Sequence, residues 1–170
     1  HGTNPASSAL CGFDVVKIPS NERGILDVDH ISKLMDDSVA AIMITNPNTL
    51  GLFEENIVEI SRLLHKNNAF VYCDGANFNA LMGKVNIADL GIDLIQFNLH
   101  KTFSTPHGGG GPGAGPVGVR RSLIPYLPVP RIVKNDIQYE WKSDFSKSIG
   151  RIKGFYGNFG VFVRAYTYLR

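Results

Sequence analysis

The sequence predicts an α/β fold in which a mostly parallel sheet is flanked by helices. Short apolar runs of the kind that form buried parallel strands recur along the chain. Segments with helical spacing lie between these runs, and small polar residues collect directly after several of them. The predicted strands are residues 13–18, 39–44, 69–73, 94–97 and 115–119.

Three segments carry helix signals. Asp27 or Asp29 is suited to cap a short helix that runs to Leu34. Residues 148–170 are polar and aromatic and are compatible with a helix near their end. The clearest signal is in residues 54–66, where apolar side chains at spacings of three and four share one face: Ile57, Ile60, Leu63 and Leu64.

Residues 107–116, here called the glycine-rich segment, read His-Gly-Gly-Gly-Gly-Pro-Gly-Ala-Gly-Pro. No regular helix or central strand tolerates this composition, so we predict a loop. It matches neither the dinucleotide-binding nor the P-loop glycine pattern, and a nucleotide loop is therefore not predicted. Close approach to a cofactor or a neighbouring subunit, or several left-handed turns, would explain the glycines.

Bulk composition indicates a globular chain and excludes several classes. With 170 residues, 44% apolar and 19% charged, the chain suits one domain with a substantial core. A formal net charge of +2 gives no reason to expect nucleic acid. Two cysteines without metal-ligand spacing predict a reducing compartment and no metal site. No apolar run suits a membrane helix or a signal peptide, so we expect a soluble protein.

Lys101 and Asp74 are the residues most informative about chemistry. Each follows a predicted buried strand, and in a parallel α/β sheet the loops after the strands form the usual ligand site. Taken alone, Lys101 would be interpreted as a solvent-exposed surface lysine, and Asp74 as a turn or helix-capping residue. Together they fit the two ends of pyridoxal phosphate: Lys101 would form a Schiff base with the aldehyde, and Asp74 would pair with the pyridine nitrogen.

Other residues at this predicted edge are weaker candidates. Asn46 and Thr49 lie in a segment that is equally suited to a β-turn, but Asn46 could donate to the cofactor's ring oxygen and Thr49 could face the ring or the substrate. His100 could act as an acid or base, or could orient the adjacent Lys101. His1 and His107 are comparable candidates. Cys73 is expected to be a buried core thiol.

Several motifs in order give the chain a family resemblance. They are residues 1–6 (HGTNPA), 45–51 (TNPNTLG), 74–77 (DGAN), 98–102 (NLHKT) and 107–113 (HGGGGPG). The sequence closely resembles the glycine cleavage system P-protein family, glycine dehydrogenase (decarboxylating), and in particular its catalytic C-terminal half or separate second subunit. The order of the motifs is more specific than any one of them.

The resemblance implies a fold-type I enzyme that depends on pyridoxal 5'-phosphate. It implies Lys101 as the Schiff-base lysine and Asp74 as the partner of the pyridine nitrogen, with Asn46, Thr49 and Ala76 also on the cofactor. It places His1 and Asn4 on the substrate side and leaves His100 or Lys101 to carry protons. It also implies a partial large domain over residues 1–170, with the α/β core at 1–147 and a truncated C-terminal segment at 148–170.

The implied reaction is decarboxylation of glycine, followed by transfer of the aminomethyl group to the lipoyl group of the H-protein. Expected partners are glycine, the lipoylated H-protein and the other P-protein half or subunit, in an oligomer, with no nucleic acid and no membrane. The expected location of such an enzyme is the cytoplasm in bacteria or the mitochondrial matrix in eukaryotes. The alternatives are another fold-type I enzyme, such as an aminotransferase or a cysteine desulfurase, or a non-catalytic structural subunit. A chain that is one piece of such an enzyme is expected to be inactive alone.

Overall fold

The computed structural model describes residues 2–152 and 154–170. A four-stranded mixed sheet with flanking helices forms its centre, and a two-stranded hairpin follows. The strands are β1 (Ala41–Thr45), β2 (Phe70–Gly75), β3 (Leu94–Phe97), β4 (Val117–Val119), β5 (Arg131–Lys134) and β6 (Tyr139–Lys142). The α-helices are α1 (Thr3–Leu10), α2 (Val28–Leu34), α3 (Ile57–Lys66), α4 (Leu99–Thr102) and α5 (Phe159–Leu169), and three short 3₁₀ helices span Phe78–Ala80, Ile87–Leu90 and Arg121–Tyr126.

The predicted α/β class is confirmed. Strands β1, β2 and β3 are neighbours and run parallel, while β4 joins β3 in the antiparallel direction. The register pairs Thr45 with Asp74 and Gly75 with Phe97. The carboxyl ends of the parallel strands therefore meet at one edge of the sheet.

The strand predictions at 39–44, 69–73 and 94–97 are confirmed, but two others need correction. Residues 13–18 form no strand, since they lie at the surface with Phe13 55% and Val16 69% exposed and pair with no neighbouring strand. The strand predicted at 115–119 exists as β4, but it is antiparallel. The hairpin β5–β6 was not predicted.

Helix α3 covers one face of the sheet as its apolar spacing predicted. Ile57, Ile60 and Leu64 are buried against Val71 and Cys73 of β2. Burying such aliphatic side chains contributes on the order of 1.5–3 kcal/mol each. This helix packs on β2 and shares one hydrophobic core with Ile42 and Ile44 of β1.

Asp27 rather than Asp29 caps α2, which resolves the alternative that the sequence left open. The Asp27 carboxylate accepts hydrogen bonds from the backbone N–H groups of Asp29 at 2.9 Å and His30 at 3.4 Å. Helix α2 then buries Ile31 in the same core.

The helix predicted near the end of the chain is confirmed as α5. Val161 and Ala165 of α5 are buried against Leu99 and Phe103, so α5 packs on α4 and the residues that follow it. The predicted boundary at residue 147 stays a prediction. Within residues 2–152 and 154–170, no helix combines the length and apolar character that a membrane span requires.

Candidate active site

Asp74 stands at the carboxyl end of β2, and a glycine must follow it. A Cβ atom on Gly75 would lie 2.2 Å from the carbonyl oxygen of Gln96 in the adjacent strand. The absence of a side chain at Gly75 lets β2 and β3 stay paired up to the edge of the sheet. The pairing of β2 with β3 therefore requires a glycine at position 75, directly after Asp74.

The Asp74 carboxylate is held on both oxygens. Oδ1 accepts a hydrogen bond from the backbone N–H of Ala76 at 2.9 Å. Oδ2 accepts one from the side-chain amide of Asn4 at 3.1 Å, and the Thr45 hydroxyl lies 3.5 Å from the same oxygen. These contacts from α1, β1 and the loop after β2 fix the direction of the carboxylate.

Asp74 has no cationic partner within salt-bridge distance among the described residues, although it is only half exposed. Each carboxylate oxygen can accept more than one hydrogen bond, so the group keeps acceptor capacity. A protonated pyridine nitrogen would supply both a positive charge and a hydrogen-bond donor to this carboxylate. The residues present therefore fit one end of pyridoxal phosphate.

Lys101 lies in the short helix α4, which begins directly after β3. Its side chain is exposed, and its amine makes no hydrogen bond or ion pair with any described residue. Since Phe97 pairs with Gly75, α4 starts at the same edge of the sheet as Asp74. The structure thus places the two residues that the sequence selected first at the same edge of the sheet.

Asn46 is buried, 1% exposed, in the loop after β1. Its side-chain oxygen accepts a hydrogen bond from the backbone N–H of Glu54 at 3.0 Å, which shapes this loop. Its amide nitrogen has no hydrogen-bond partner among the residues that the structure describes. A buried amide without an acceptor fits a donor to a ring oxygen, and Asn46 stays a predicted cofactor ligand.

The remaining predicted residues occupy different positions. Ala76 is half-buried and uses its backbone to orient Asp74. Asn4 donates its side-chain amide to Asp74, and its predicted position on the substrate side stays a prediction. Thr49 is exposed in the loop between β1 and α3. His1 lies outside the described residues.

His100 and His107 form a pair beside Lys101. Their ring centroids are 4.3 Å apart. Burial lowers the pKa of His100 below its ordinary value, and the neighbouring His107 and Lys101 lower the pKa further because they disfavour a second positive charge. His100 is therefore held toward its neutral form, which can accept a proton.

Three functional features were not singled out from the sequence. Thr45 contributes a hydroxyl next to Asp74, and Thr102 and Thr105 bury hydroxyls that have no partner in the described part of the chain. The available signal was that all three threonines lie in or close to the motifs that contain Asn46 and Lys101.

We expect Cys73 to resist thiol reagents in the folded protein, while Cys11 reacts. Burial raises the pKa of Cys73 to about 11, with a smaller contribution from Asp74, and only the thiolate is a good nucleophile. Cys11 is exposed. With a chromogenic disulfide at pH ~8, near the ordinary cysteine pKa, one thiol per chain should react quickly and the second only after denaturation. Cys11→Ser should abolish the fast phase; two equally fast thiols would contradict this burial.

This fold, with an acidic residue and a lysine at the carboxyl edge of a mixed α/β sheet, defines the class of fold-type I pyridoxal phosphate enzymes. The chain belongs to the aminotransferase class-V family, whose model matches residues 3–123. The predictions of fold type and of cofactor are confirmed at the level of this family.

Curated relatives narrow the comparison. The chain is 55% identical over its whole length to a probable glycine dehydrogenase (decarboxylating) subunit 2 of Staphylococcus saprophyticus, and 58% identical over 99% of its length to the same-named protein of Kosmotoga olearia. A protein of this name in Listeria monocytogenes is also 55% identical. The chain spans about a third of the length of these relatives, 35% in each case.

Solved structures support the fold. A sphingosine-1-phosphate lyase of Burkholderia pseudomallei superposes with a TM-score of 0.69 at 17% identity, covering the whole chain and 38% of the lyase chain. A NifS-like protein of Rickettsia africae gives 0.58 at 22% identity, covering 96% of this chain and 40% of the other. At such identities the likeness concerns the fold alone.

Proposed function

We propose that the protein carrying this chain decarboxylates glycine with pyridoxal phosphate and passes the aminomethyl group to the lipoyl group of a carrier protein. The observation that carries the proposal is the placement of Asp74 at the same sheet edge as Lys101. Among residues 2–152 and 154–170, the half-buried Asp74 carboxylate has no cationic partner and the Lys101 amine has no partner at all. The names of the curated relatives supply the substrate.

The chain's own residues would divide the work. Lys101 would attach the cofactor through its amine. Asp74, oriented by Asn4 and Ala76, would hold the proton of the ring nitrogen at its carboxylate. Asn46 would donate its unpartnered amide to the ring oxygen.

When bound, pyridoxal phosphate supplies a ring that withdraws electrons from the α-carbon of the amino acid as carbon dioxide leaves. His100, neutral and adjacent to Lys101, would accept and return a proton at the site. Asp74 would hold the ring nitrogen in its protonated form, which is the form that withdraws electrons.

In the proposed transfer of the aminomethyl group, the lipoyl disulfide is the two-electron oxidant. The bond between the α-carbon and the carboxylate of glycine breaks and carbon dioxide departs. The carbon then bonds to one lipoyl sulfur while the disulfide breaks, and the other sulfur takes up a proton. The disulfide is thereby reduced by two electrons, and an aminomethyl-dihydrolipoyl group is formed. The lipoylated H-protein, and a second P-protein half or subunit in an oligomer, are the proposed partners.

The test is glycine-dependent exchange of labelled bicarbonate into the glycine carboxyl group, measured on the whole protein with a lipoylated carrier. We expect exchange with the unmodified protein and none with Lys101→Ala. The matched control is Lys66→Ala, since Lys66 is an exposed lysine at the end of α3, toward the opposite edge of the sheet. Exchange that survives Lys101→Ala, or activity with other amino acids in place of glycine, would contradict the proposal.

A further inference from the structure

Asn158 precedes helix α5 and does not act as an ordinary helix cap. An asparagine in this position usually accepts a hydrogen bond from a first-turn N–H through its side chain. The Asn158 side chain makes no such bond; its amide nitrogen donates to the carbonyl oxygen of Gly113 at 2.9 Å. Asn158 therefore ties α5 to the glycine-rich segment.

Gly113 in turn lies against the ring of His100. A Cβ atom at Gly113 would stand 2.7 Å from the Nδ1 atom of His100, closer than Cβ atoms come to other heavy atoms in real structures. The next residue, Ala114, accepts a hydrogen bond from the Leu99 N–H at 3.1 Å. The glycine-rich segment is thus seated on the start of α4, and its backbone occupies the space beside the imidazole.

The other end of the segment reaches the same ring. His107 places its imidazole against that of His100, and its own Nδ1 atom lies 3.1 Å from the Gly111 carbonyl oxygen. Gly111 also donates its backbone N–H to the His107 carbonyl. The segment is a tight loop that contacts His100 on two sides.

This enclosure affects the protonation of His100 directly. The Nδ1 atom is buried and has no hydrogen-bond partner among the described residues. An imidazolium carries a hydrogen on each nitrogen, so a charged His100 would bury an N–H donor without an acceptor. The geometry alone favours the neutral ring.

We propose that Asn158 and Gly113 are positioning residues that fix the His100 ring beside Lys101, with its Nδ1 atom enclosed by the glycine-rich segment. The proposal rests on the proposed function, in which His100 carries a proton next to Lys101. The titratable groups facing His100 are His107 from the segment and Lys101 from its own helix, while α5 acts on the segment through the uncharged Asn158.

The test is a pH titration of the histidine ring signals by NMR, on the chain labelled at histidine and without cofactor or glycine. Asn158→Ala removes the tie, and Gly113→Ala forces the ring away. Each should raise the His100 midpoint toward its ordinary value by about half a pH unit or more. His30, exposed in α2, is the internal reference and should keep its midpoint. Asn158→Gln retains an amide donor and should give a smaller rise.

An unmoved His100 midpoint in either variant, with the fold intact by circular dichroism, would overturn the proposal. Loss of the folded state in both variants would overturn it as well, because the residues would then serve stability and not the position of one ring. Since the titration uses neither cofactor nor glycine, failure of the glycine exchange assay would leave its result unchanged, and the two failures can be told apart.

Discussion

Replacing Asp93 with alanine is expected to lower the free energy of unfolding by about 3 kcal/mol. Asp93 is 4% exposed and joins three elements. Its carboxylate accepts hydrogen bonds from the Val71 N–H of β2 at 2.8 Å and from the His65 ring of α3 at 2.8 Å, and it forms an ion pair with Arg120, next to β4, at 3.1 Å. Its removal leaves a buried N–H without a partner and a partly buried cation without its counterion.

Urea denaturation followed by circular dichroism measures this loss. Asp14→Ala is the matched control, since Asp14 is exposed and outside every helix and strand, and a change within about 0.5 kcal/mol is expected there. A change below about 1 kcal/mol for Asp93→Ala would mean that the cluster is not a structural anchor.

Replacing Asp74 with alanine is expected to lower glycine-dependent exchange by the whole protein at least about 100-fold. The charge opposite the cofactor ring nitrogen would be lost, and the amide of Asn4 and the N–H of Ala76 would lose their acceptor. Asp74→Asn keeps the shape of the side chain but not its charge, so it should be nearly as damaging. The assay is the initial rate of bicarbonate exchange at saturating cofactor.

The control for this change is Asp89→Ala. Asp89 is exposed in the 3₁₀ helix that precedes β3, toward the opposite edge of the sheet, and its replacement should leave the rate within about twofold. If Asp74→Ala exchanged bicarbonate at the full rate, Asp74 would not belong to the active site. The proposal that Asp74 pairs with the ring nitrogen of the cofactor would then be wrong.

The parallel strands were predictable because they are buried in the centre of the fold. Residues 39–44, 69–73 and 94–97 lie in or beside a sheet covered by α3, so their sequences are nearly continuous apolar runs. Residues 13–18 are also mostly apolar, although Asp14 and Lys17 interrupt them, but no strand of the described residues pairs with them. An apolar composition indicates that a segment is suited to burial in a sheet. It does not indicate whether another strand lies beside the segment to pair with it.

The hairpin β5–β6 illustrates the opposite failure. Its strands keep much of their apolar surface in solvent, with Ile132 60% and Trp141 56% exposed, so no burial pattern marked them. Helix α4 is only one turn long and lies within the Lys101 motif. Four residues are too few to show the repeating apolar spacing by which a helix is predicted from sequence.

For the site, the sequence identified residues that follow buried strands but did not predict the contacts that join distant parts of the chain. Lys101 and Asp74 each follow a buried strand, and that pattern is visible in a few residues. The contact between Asn4 and Asp74 joins residues 70 positions apart, and that between Asn158 and Gly113 joins residues 45 apart. Such contacts depend on how α1 and α5 pack against the rest of the fold. The packing of distant elements produces no short sequence motif by which these contacts could be predicted.

The absorbance spectrum of the protein with pyridoxal phosphate tests most directly whether Lys101 is the attachment point. The unmodified protein and Lys66→Ala should shift the cofactor band toward the visible, and borohydride reduction should fix the cofactor on the peptide that contains Lys101. Lys101→Ala should show the spectrum of free cofactor and no fixed label. The same shifted band in Lys101→Ala as in the protein that retains Lys101, or a label on another lysine, would show that Lys101 is not the attachment point.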